Sequence, residues 1–501
     1  MRIQFVISVL FMFGFSSAAV ALSSDELCGD SGVKFVPLTV DMSKVIHADV
    51  PKSIFGFDLP WYDFQLGHFR NGQVRNKTVE WLKYFPGAAY RFPGGNTYEW
   101  ERGVGPINKR KKISANYTAT GYERPYFGLA EFSTFLNRVD GKAVITFSLL
   151  NPDRTVVTRQ KMIASNLGMV QWFNNVSSLK CVSGDECRIL YWELGNELDW
   201  PGTNWTAEEY IEHVNPLIDE LIKLHPDIRL LSLGKTAPWD TPSLSNAFNQ
   251  QLANSLGGRV AGVTIHPYYD GHAIPIMLDW MKKTIKPYKE INPMARLAVT
   301  EHGRWPNQKS ARWEDDWYKA SGAGGAISSA DFIISSMQLP EVDVATWHAL
   351  GVKGPWQLFH YDSKNDDVYP SAVYWGFRVV RDAMLKDIVS ITPHTSKGGN
   401  YVGGYDLNLV AMKDDNGALS VIGVNRSSVP VQVSFDVIGQ QVGQNTPGGL
   451  RYSYLQSDKV GSDNTDVNKQ AVTMRTKLLS VNGKLPAGLC IPPMSVFSLY
   501  K

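Results

Sequence analysis

Between residues 53 and 385 short apolar segments alternate with longer amphipathic ones, and this alternation limits the folds open to the chain. The apolar segments are SIFGFDL (53–59), AAYRFPG (88–94), KAVITFSLL (142–150), RILYWELGN (188–196), IRLLSLG (228–234), VAGVTIH (260–266), RLAVTEH (296–302) and VDVATWH (342–348). Each has strand length and is apolar on both faces, as a strand buried between two layers must be. Between them lie stretches such as TAEEYIEHVNPLIDELIKLH (206–225) and SSADFIISSMQL (328–339), with helical spacing of apolar residues. Eight strand–helix units are the count of a (β/α)8 barrel. A doubly wound open sheet is the competing layout, but no glycine-rich dinucleotide turn follows the first strand.

The texture changes near residue 386. Segments such as LSVIGVNRS and VPVQVSFDVIG alternate, with Gly, Asn and Asp turns and no long helical pattern. That predicts an antiparallel β-sandwich over 386–501. VKFVPLTVDM (33–42) has the same character, so residues 22–52 are expected to lend a strand to the sandwich, with the barrel over 53–385. Residues 1–21 read as an export signal: Arg2 gives a positive start, Phe5 to Phe15 an apolar run, and Ala19-Val20-Ala21 a small-residue cleavage site. The expected product is secreted, with no membrane attachment once the signal is gone. Four cysteines suit that compartment. Cys181 and Cys187 flank a short loop, and a Cys28–Cys490 bridge, the simplest of three possible pairings, would tie the chain ends together. Asn76, Asn116, Asn175, Asn204 and Asn425 begin N-x-S/T sequons. At 44% hydrophobic and 20% charged the chain has ample material for a core, and a net charge of +2 offers no global field for nucleic acid. The one basic run, NKRKK (108–112), reads as a solvated loop, with contact to an acidic sugar as the sharper alternative.

Chemistry in a (β/α)8 barrel sits at the C-terminal strand ends, and that rule sorts the acids. Glu197 follows the fourth strand and Glu301 ends the seventh. Glu193 lies deeper in the fourth strand, where an ion pair with a barrel Arg or Lys is its expected role. His266 and Tyr268 end the sixth strand, Arg91 and Asn96 the second, Asp58 the first, and Trp347 and His348 the eighth. Two carboxylates on separate rigid strands suit glycosidic bond cleavage, one protonated to help the leaving oxygen depart and one ionised to attack the anomeric carbon. Trp61, Trp100, Trp305 and Trp347 follow strand ends and are candidate sugar platforms. No zinc-site spacing and no G-x-S-x-G elbow occurs, and an acid pair needs neither metal nor cofactor.

RFPGGNTYEWERGVGPINKR (91–110), YWELGNELD (191–199), IHPYY (265–269) and TEHG (300–303) together resemble the retaining glycosidases of the large (β/α)8 clan, most closely the α-L-arabinofuranosidase family, glycoside hydrolase family 51. The resemblance implies that Glu197 is the general acid/base and Glu301 the nucleophile. It further implies that Asn196 binds the sugar 2-hydroxyl, that Asn96 binds another hydroxyl, and that Tyr268 holds the nucleophile. Arg91 would orient or ionise Glu301, while Glu197 needs a raised pKa for its task. The partner implied is a carbohydrate, released as an α-L-arabinofuranosyl residue from a polysaccharide or oligosaccharide. The chain departs from the family pattern at two places. Asp58 stands where a Glu is usual after the first strand, and Trp347-His348 where a Gln usually ends the eighth. Both positions touch substrate recognition. WELGNE and IHPYYDG also resemble the heparanase-like β-glucuronidases of the same clan, a β-xylosidase is a third option, and a carbohydrate-binding barrel without activity is the non-enzyme alternative.

Overall fold

The computed structural model describes residues 33–501 except 61–66, 71, 96–98, 112, 115–121, 124–126, 152–154, 185, 201, 306–319, 352–354, 399–400, 440–448, 458, 460, 480–484 and 486–487. All eight expected strands form: Gly56–Asp58, Ala89–Phe92, Lys142–Thr146, Ile189–Glu193, Leu230–Ser232, Gly262–Ile265, Arg296–Trp305 and Val342–Trp347. Each pairs in parallel with its sequence neighbours, the sixth with the seventh and the eighth with the first, so the sheet closes into a barrel. A helix follows each strand, from Asn76–Leu82 after the first to Ala372–Asp382 after the eighth. The helix after the fourth strand, Ala207–Leu224, shows why these segments are helical. Thr206 and Glu209 cap each other's backbone at its start, and Tyr210, Val214, Leu217, Ile218 and Leu221 form one buried stripe.

Inside the barrel, side chains stack in layers. Ala89, Val144, Tyr191, Leu231, Ala298 and Val344 form a separate apolar cluster. Two residues further along their strands come Arg91, Thr146, Glu193, Thr300 and Thr346, all buried. Because strand side chains alternate in direction, this apolar layer becomes a floor and the next inward layer is polar. The polar layer carries the site.

Residues 386–501 form an antiparallel-rich sheet of ten strands that includes Lys34–His47. That N-terminal strand runs parallel to Val431–Ile438 and antiparallel to Asp387–Thr392. The sheet coils around its own core, which includes Val36, Leu38, Val40, Leu407, Leu409, Val431, Tyr452 and Phe497. Its other face, including Val410, Met412, Ile422 and Val496, joins the main core of the barrel. Between the two lies the helix Ala323–Met337, every residue of which is buried. That explains a sequence, AGGAISSADFIISSM, that is small or apolar nearly all round, and why the helix starts earlier than the expected 328.

Cys181 and Cys187 are bonded. Cys490 is buried in the strand Leu489–Ile491, while Cys28 and the leader lie outside the described residues. Among the described residues no helix is long and apolar enough to cross a membrane. Asn76, Asn175 and Asn204 are exposed, and Asn116 lies outside the described residues. Asn425 corrects the sequon reading: it is fully buried, and its amide nitrogen donates to the carbonyls of Val429 and Pro492, so that sequon is closed in the folded protein.

Candidate active site

Arg91 is the hub of the polar layer and is wholly buried. Its Nε donates to Glu193 Oε2 at 2.7 Å, its Nη1 to Glu301 Oε1 at 2.7 Å, and its Nη2 to Asn196 Oδ1 at 2.6 Å. Asp58 Oδ2 lies 3.5 Å from Nη1. One guanidinium therefore connects the first, second, fourth and seventh strands. A buried cation this well paired is held as a cation: burial opposes its charge, and the carboxylates of Glu193, Asp58 and Glu301 more than offset that. Glu193 is the structural member of the pair in WELGNE, since Thr146 and Thr300 hydroxyls also donate to it at 2.7 and 2.8 Å.

Glu301 faces the site because its strand is irregular. Val299 pairs with Ala345 and His302 with Trp347, so three steps on the seventh strand match two on the eighth. The extra residue is a bulge, which lets Thr300 and Glu301 both turn inward while His302 turns out. Tyr268 donates to Glu301 Oε2 at 2.8 Å. His266 Nδ1 and His348 Nδ1 each stand 3.8 Å from the same oxygen. Burial works against the carboxylate charge, but His266, His348, Arg91 and the Tyr268 hydroxyl together hold its pKa well below the ordinary range. Glu301 is thus held ionised and in a fixed orientation.

Glu197 leaves the fourth strand through a tight turn. Gly195 has φ 84° and Glu197 itself φ 46°, both left-handed, and the turn carries the carboxyl over the barrel mouth. Its side chain is 25% exposed against 9% for Glu301, so it is the more open to solvent. His266 Nδ1 lies 2.8 Å from Glu197 Oε1, and His266 Nε2 lies 2.9 Å from the Thr300 hydroxyl. Burial lowers the His266 pKa, but Glu301 and Glu197 outweigh it and raise it to about 9. One oxygen of Glu197, one nitrogen of His266 and one oxygen of Glu301 all lie within 4.8 Å of one another.

Asp58 and His348 form the second rim of the site, with Asp58 Oδ2 2.9 Å from His348 Nδ1. Burial raises the Asp58 pKa against the pull of Arg91 and His348, and it lowers that of His348 against the stronger pull of Glu301 and Asp58, leaving the histidine raised. Asp58 Oδ1 is buried with no hydrogen-bond partner among the described residues. Two triads, Asp58–Glu301–His348 and Glu197–His266–Glu301, each offer three ligand atoms at metal-like spacing. Their carboxylates already face Arg91 and the imidazoles, and such cations compete directly with a metal ion for the same oxygens.

The structure thus brings together Glu197, Glu301, Asn196, His266, Tyr268, Arg91, Asp58 and His348. Asn96 and Trp61 lie outside the described residues. Trp347 requires correction. Val344, Thr346 and His348 point inward, so Trp347 points outward, wholly buried, with its ring 5.8 Å from His302 and 5.9 Å from Phe377. It is core, not a sugar platform. Trp100 is held by Ser165, and Trp305 stands partly exposed 5.5 Å from the Tyr268 ring. The basic run is also not uniformly solvated, since Arg110 is buried and donates to Glu131 at 2.7 Å. Thr146 and Thr300 were missed as site residues, although the period of two places both in the inward polar layer.

The closed parallel barrel defines a (β/α)8 protein, with one carboxylate after its fourth strand and one on its seventh facing each other across the mouth. Residues 82–269 match the family model of the alpha-L-arabinofuranosidase 1 domain. The chain is 24% identical over 215 residues to an exo-α-(1→6)-L-arabinofuranosidase of Bifidobacterium longum, covering 39% of this chain and 38% of that one. It is 29% identical over 200 residues to an intracellular exo-α-(1→5)-L-arabinofuranosidase of Halalkalibacterium halodurans, covering 36% of each. The chain thus spans little more than a third of the length of these two curated relatives. The fold extends further: the α-L-arabinofuranosidase of Thermotoga maritima superposes with a TM-score of 0.71 at 15% identity, over 92% of this chain and 99% of that one. A family 51 α-L-arabinofuranosidase of Bifidobacterium longum gives 0.72 at 15% identity, over 93% and 99%.

Proposed function

We propose that this protein is a secreted, retaining α-L-arabinofuranosidase that releases arabinofuranosyl residues from a polysaccharide or its fragments. One observation carries the reaction type: oxygens of Glu197 and Glu301 approach within 4.8 Å. Retaining enzymes keep their carboxyls about 5–5.5 Å apart, whereas inverting ones leave about 6.5–9.5 Å for a water. The family match over residues 82–269 supports the choice of sugar, and the leader-like residues 1–21 support export.

In this reading Glu301 Oε2 attacks the anomeric carbon while Glu197 gives its proton to the departing glycosidic oxygen. The carbon–oxygen bond breaks as the glycosyl–Glu301 ester forms. Glu197 then takes a proton from water, the water oxygen attacks the same carbon, and the ester bond to Glu301 breaks. Both displacements invert, so the net configuration is retained. Asn196, fixed through Arg91, is placed to meet the sugar 2-hydroxyl, where a bond that strengthens in the transition state speeds the reaction.

A second reading, β-glucuronide cleavage, is favoured by His348, an imidazole with a raised pKa on the rim and a cationic contact for a uronate. Hydrolysis of a panel of nitrophenyl glycosides by the purified chain decides between them. The panel holds α-L-arabinofuranoside, β-D-xyloside, β-D-glucoside and β-D-glucuronide. Preference for the arabinofuranoside supports the proposal, and preference for the glucuronide replaces it with the second reading.

A further inference from the structure

We propose that Arg426, supplied by the β-sheet domain, is a positioning residue for the active site: it clamps Asp270 and so sets Tyr268, the hydrogen-bond partner of Glu301. The proposal rests on the reading of Glu301 as nucleophile.

The link begins at a short strand, Tyr268–Asp270, which lies outside the barrel ring. Among the described residues it pairs only with Gly303–Trp305, the extension of the seventh strand beyond Glu301. Three residues of pairing give little stability on their own. Asp270 also has φ 77°, a left-handed conformation that disfavours a residue with a Cβ. Other contacts must hold it there.

They come from three directions. Arg304 Nε donates to Asp270 Oδ2 at 2.7 Å, and the Ser328 hydroxyl donates to the same oxygen at 2.6 Å. Arg426 Nη2 donates to Oδ1 at 3.0 Å. The first two donors belong to the barrel, but Arg426 follows the sheet strand Leu419–Asn425. Arg426 is itself firmly seated. It donates from Nη1 to the buried Asp331 of the interface helix at 2.5 Å and from Nη2 to the Ser328 hydroxyl at 2.8 Å. Its guanidinium carbon lies 3.7 Å from the centre of the Tyr401 ring. Asp331 finds its other partners, Tyr405 and Asn408, on the sheet as well. At the far end of the three-residue strand, Tyr268 donates to Glu301 Oε2 at 2.8 Å.

The sheet domain thus reaches the nucleophile in three steps, although Arg426 touches neither Glu197 nor Glu301. The clamp borders a cavity of about 430 Å³ lined by Ser328, Tyr401, Arg426 and Met494. A shortened or neutral side chain at 426 can therefore be hydrated there, and the fold is expected to survive.

The test uses the full chain and whichever nitrophenyl glycoside the wild type cleaves fastest, so a wrong choice of sugar does not count against the clamp. Arg426→Gln should lower kcat roughly tenfold to a hundredfold, the scale of a small misplacement at a reacting centre, with KM changed less than about threefold. Arg426→Lys should recover part of the loss. The decisive variant combines Arg426→Gln with Tyr268→Phe. If Arg426 acts through Tyr268, the double variant is no slower than Tyr268→Phe alone. Multiplying losses in the double variant, or wild-type kcat in Arg426→Gln, overturn the proposal. Asp270→Asn, which keeps the side-chain shape, gives the same comparison should Arg426→Gln fold poorly.

Discussion

Thr300 accepts a hydrogen bond from His266 Nε2 at 2.9 Å because its own proton is committed to Glu193. Nε2 must then carry a hydrogen, and Nδ1, 2.8 Å from Glu197, is left as the nitrogen that faces the proposed acid/base. In the proposed mechanism a proton passes from this pair to the leaving oxygen and is regained from water. Glu197→Ala should lower turnover by about 10²–10⁴, the usual worth of a general acid/base. Added azide should restore the rate on substrates with activated leaving groups and yield a glycosyl azide of retained configuration. Glu301→Ala should abolish hydrolysis, and any glycosyl azide it forms should have inverted configuration. A glycosyl azide of inverted configuration from Glu197→Ala, measured by NMR, would show that the two roles are reversed.

Raising pH should cost stability through His266. Its folded pKa is about 9 against an ordinary 6.5, so the folded state binds the proton more tightly. The stabilisation is full below about 6.5 and disappears as pH rises through 9. For a fully buried group this amounts to about 3 kcal/mol. Urea unfolding between pH 6.5 and 9 should show wild-type stability falling and His266→Asn falling much less. Parallel curves would exclude the assignment. Glu301 has the opposite sign, with its contribution present above the ordinary carboxylate pKa of 4.5 and lost only in strong acid.

Glu193→Gln should damage stability before chemistry. The change removes the charge that Arg91 meets at 2.7 Å in a fully buried setting, and breaking one side of such a pair costs about 3–5 kcal/mol. A calorimetric melting point close to that of the wild type would show that Arg91 needs only its other partners.

Two adjacent residues at the end of the eighth strand should separate cleanly. His348→Ala should raise KM or lower kcat on the preferred glycoside, because His348 sits 3.8 Å from Glu301 and is bonded to Asp58. Trp347→Phe should leave both constants within about twofold and lower the melting temperature, as expected for a tightly packed core side chain. The reverse pattern would restore Trp347 to the sugar site.

The barrel was legible because its strands are apolar on both faces and its catalytic ends carry polar residues out of pattern. Arg91, Glu193 and Glu301 followed from strand position alone. Trp347 was misread because residue type outweighed the period of two that turns it away from the mouth. The bulge at Thr300–Glu301 could not be read from sequence, since it appears only as a register shift against the eighth strand. The contacts of Asp270 with Arg426, residues 156 apart in sequence, left no local signal at all. Neither hydrophobic period nor strand-end rules speak to a pairing between domains.

The placement of Lys34–His47 in the midst of the C-terminal sheet has a consequence for how the protein is made. This strand is synthesised before the barrel, yet its partners in the neighbouring strands, Asp387–Thr392 and Val431–Ile438, lie some 340 to 400 residues later in the chain. It must wait unpaired while the whole barrel emerges. No single cut in the chain separates the two domains, because any truncation that removes the sheet strands leaves this one with two bare edges, open to pairing with another copy. The two domains are coupled in biosynthesis as they are in the folded protein.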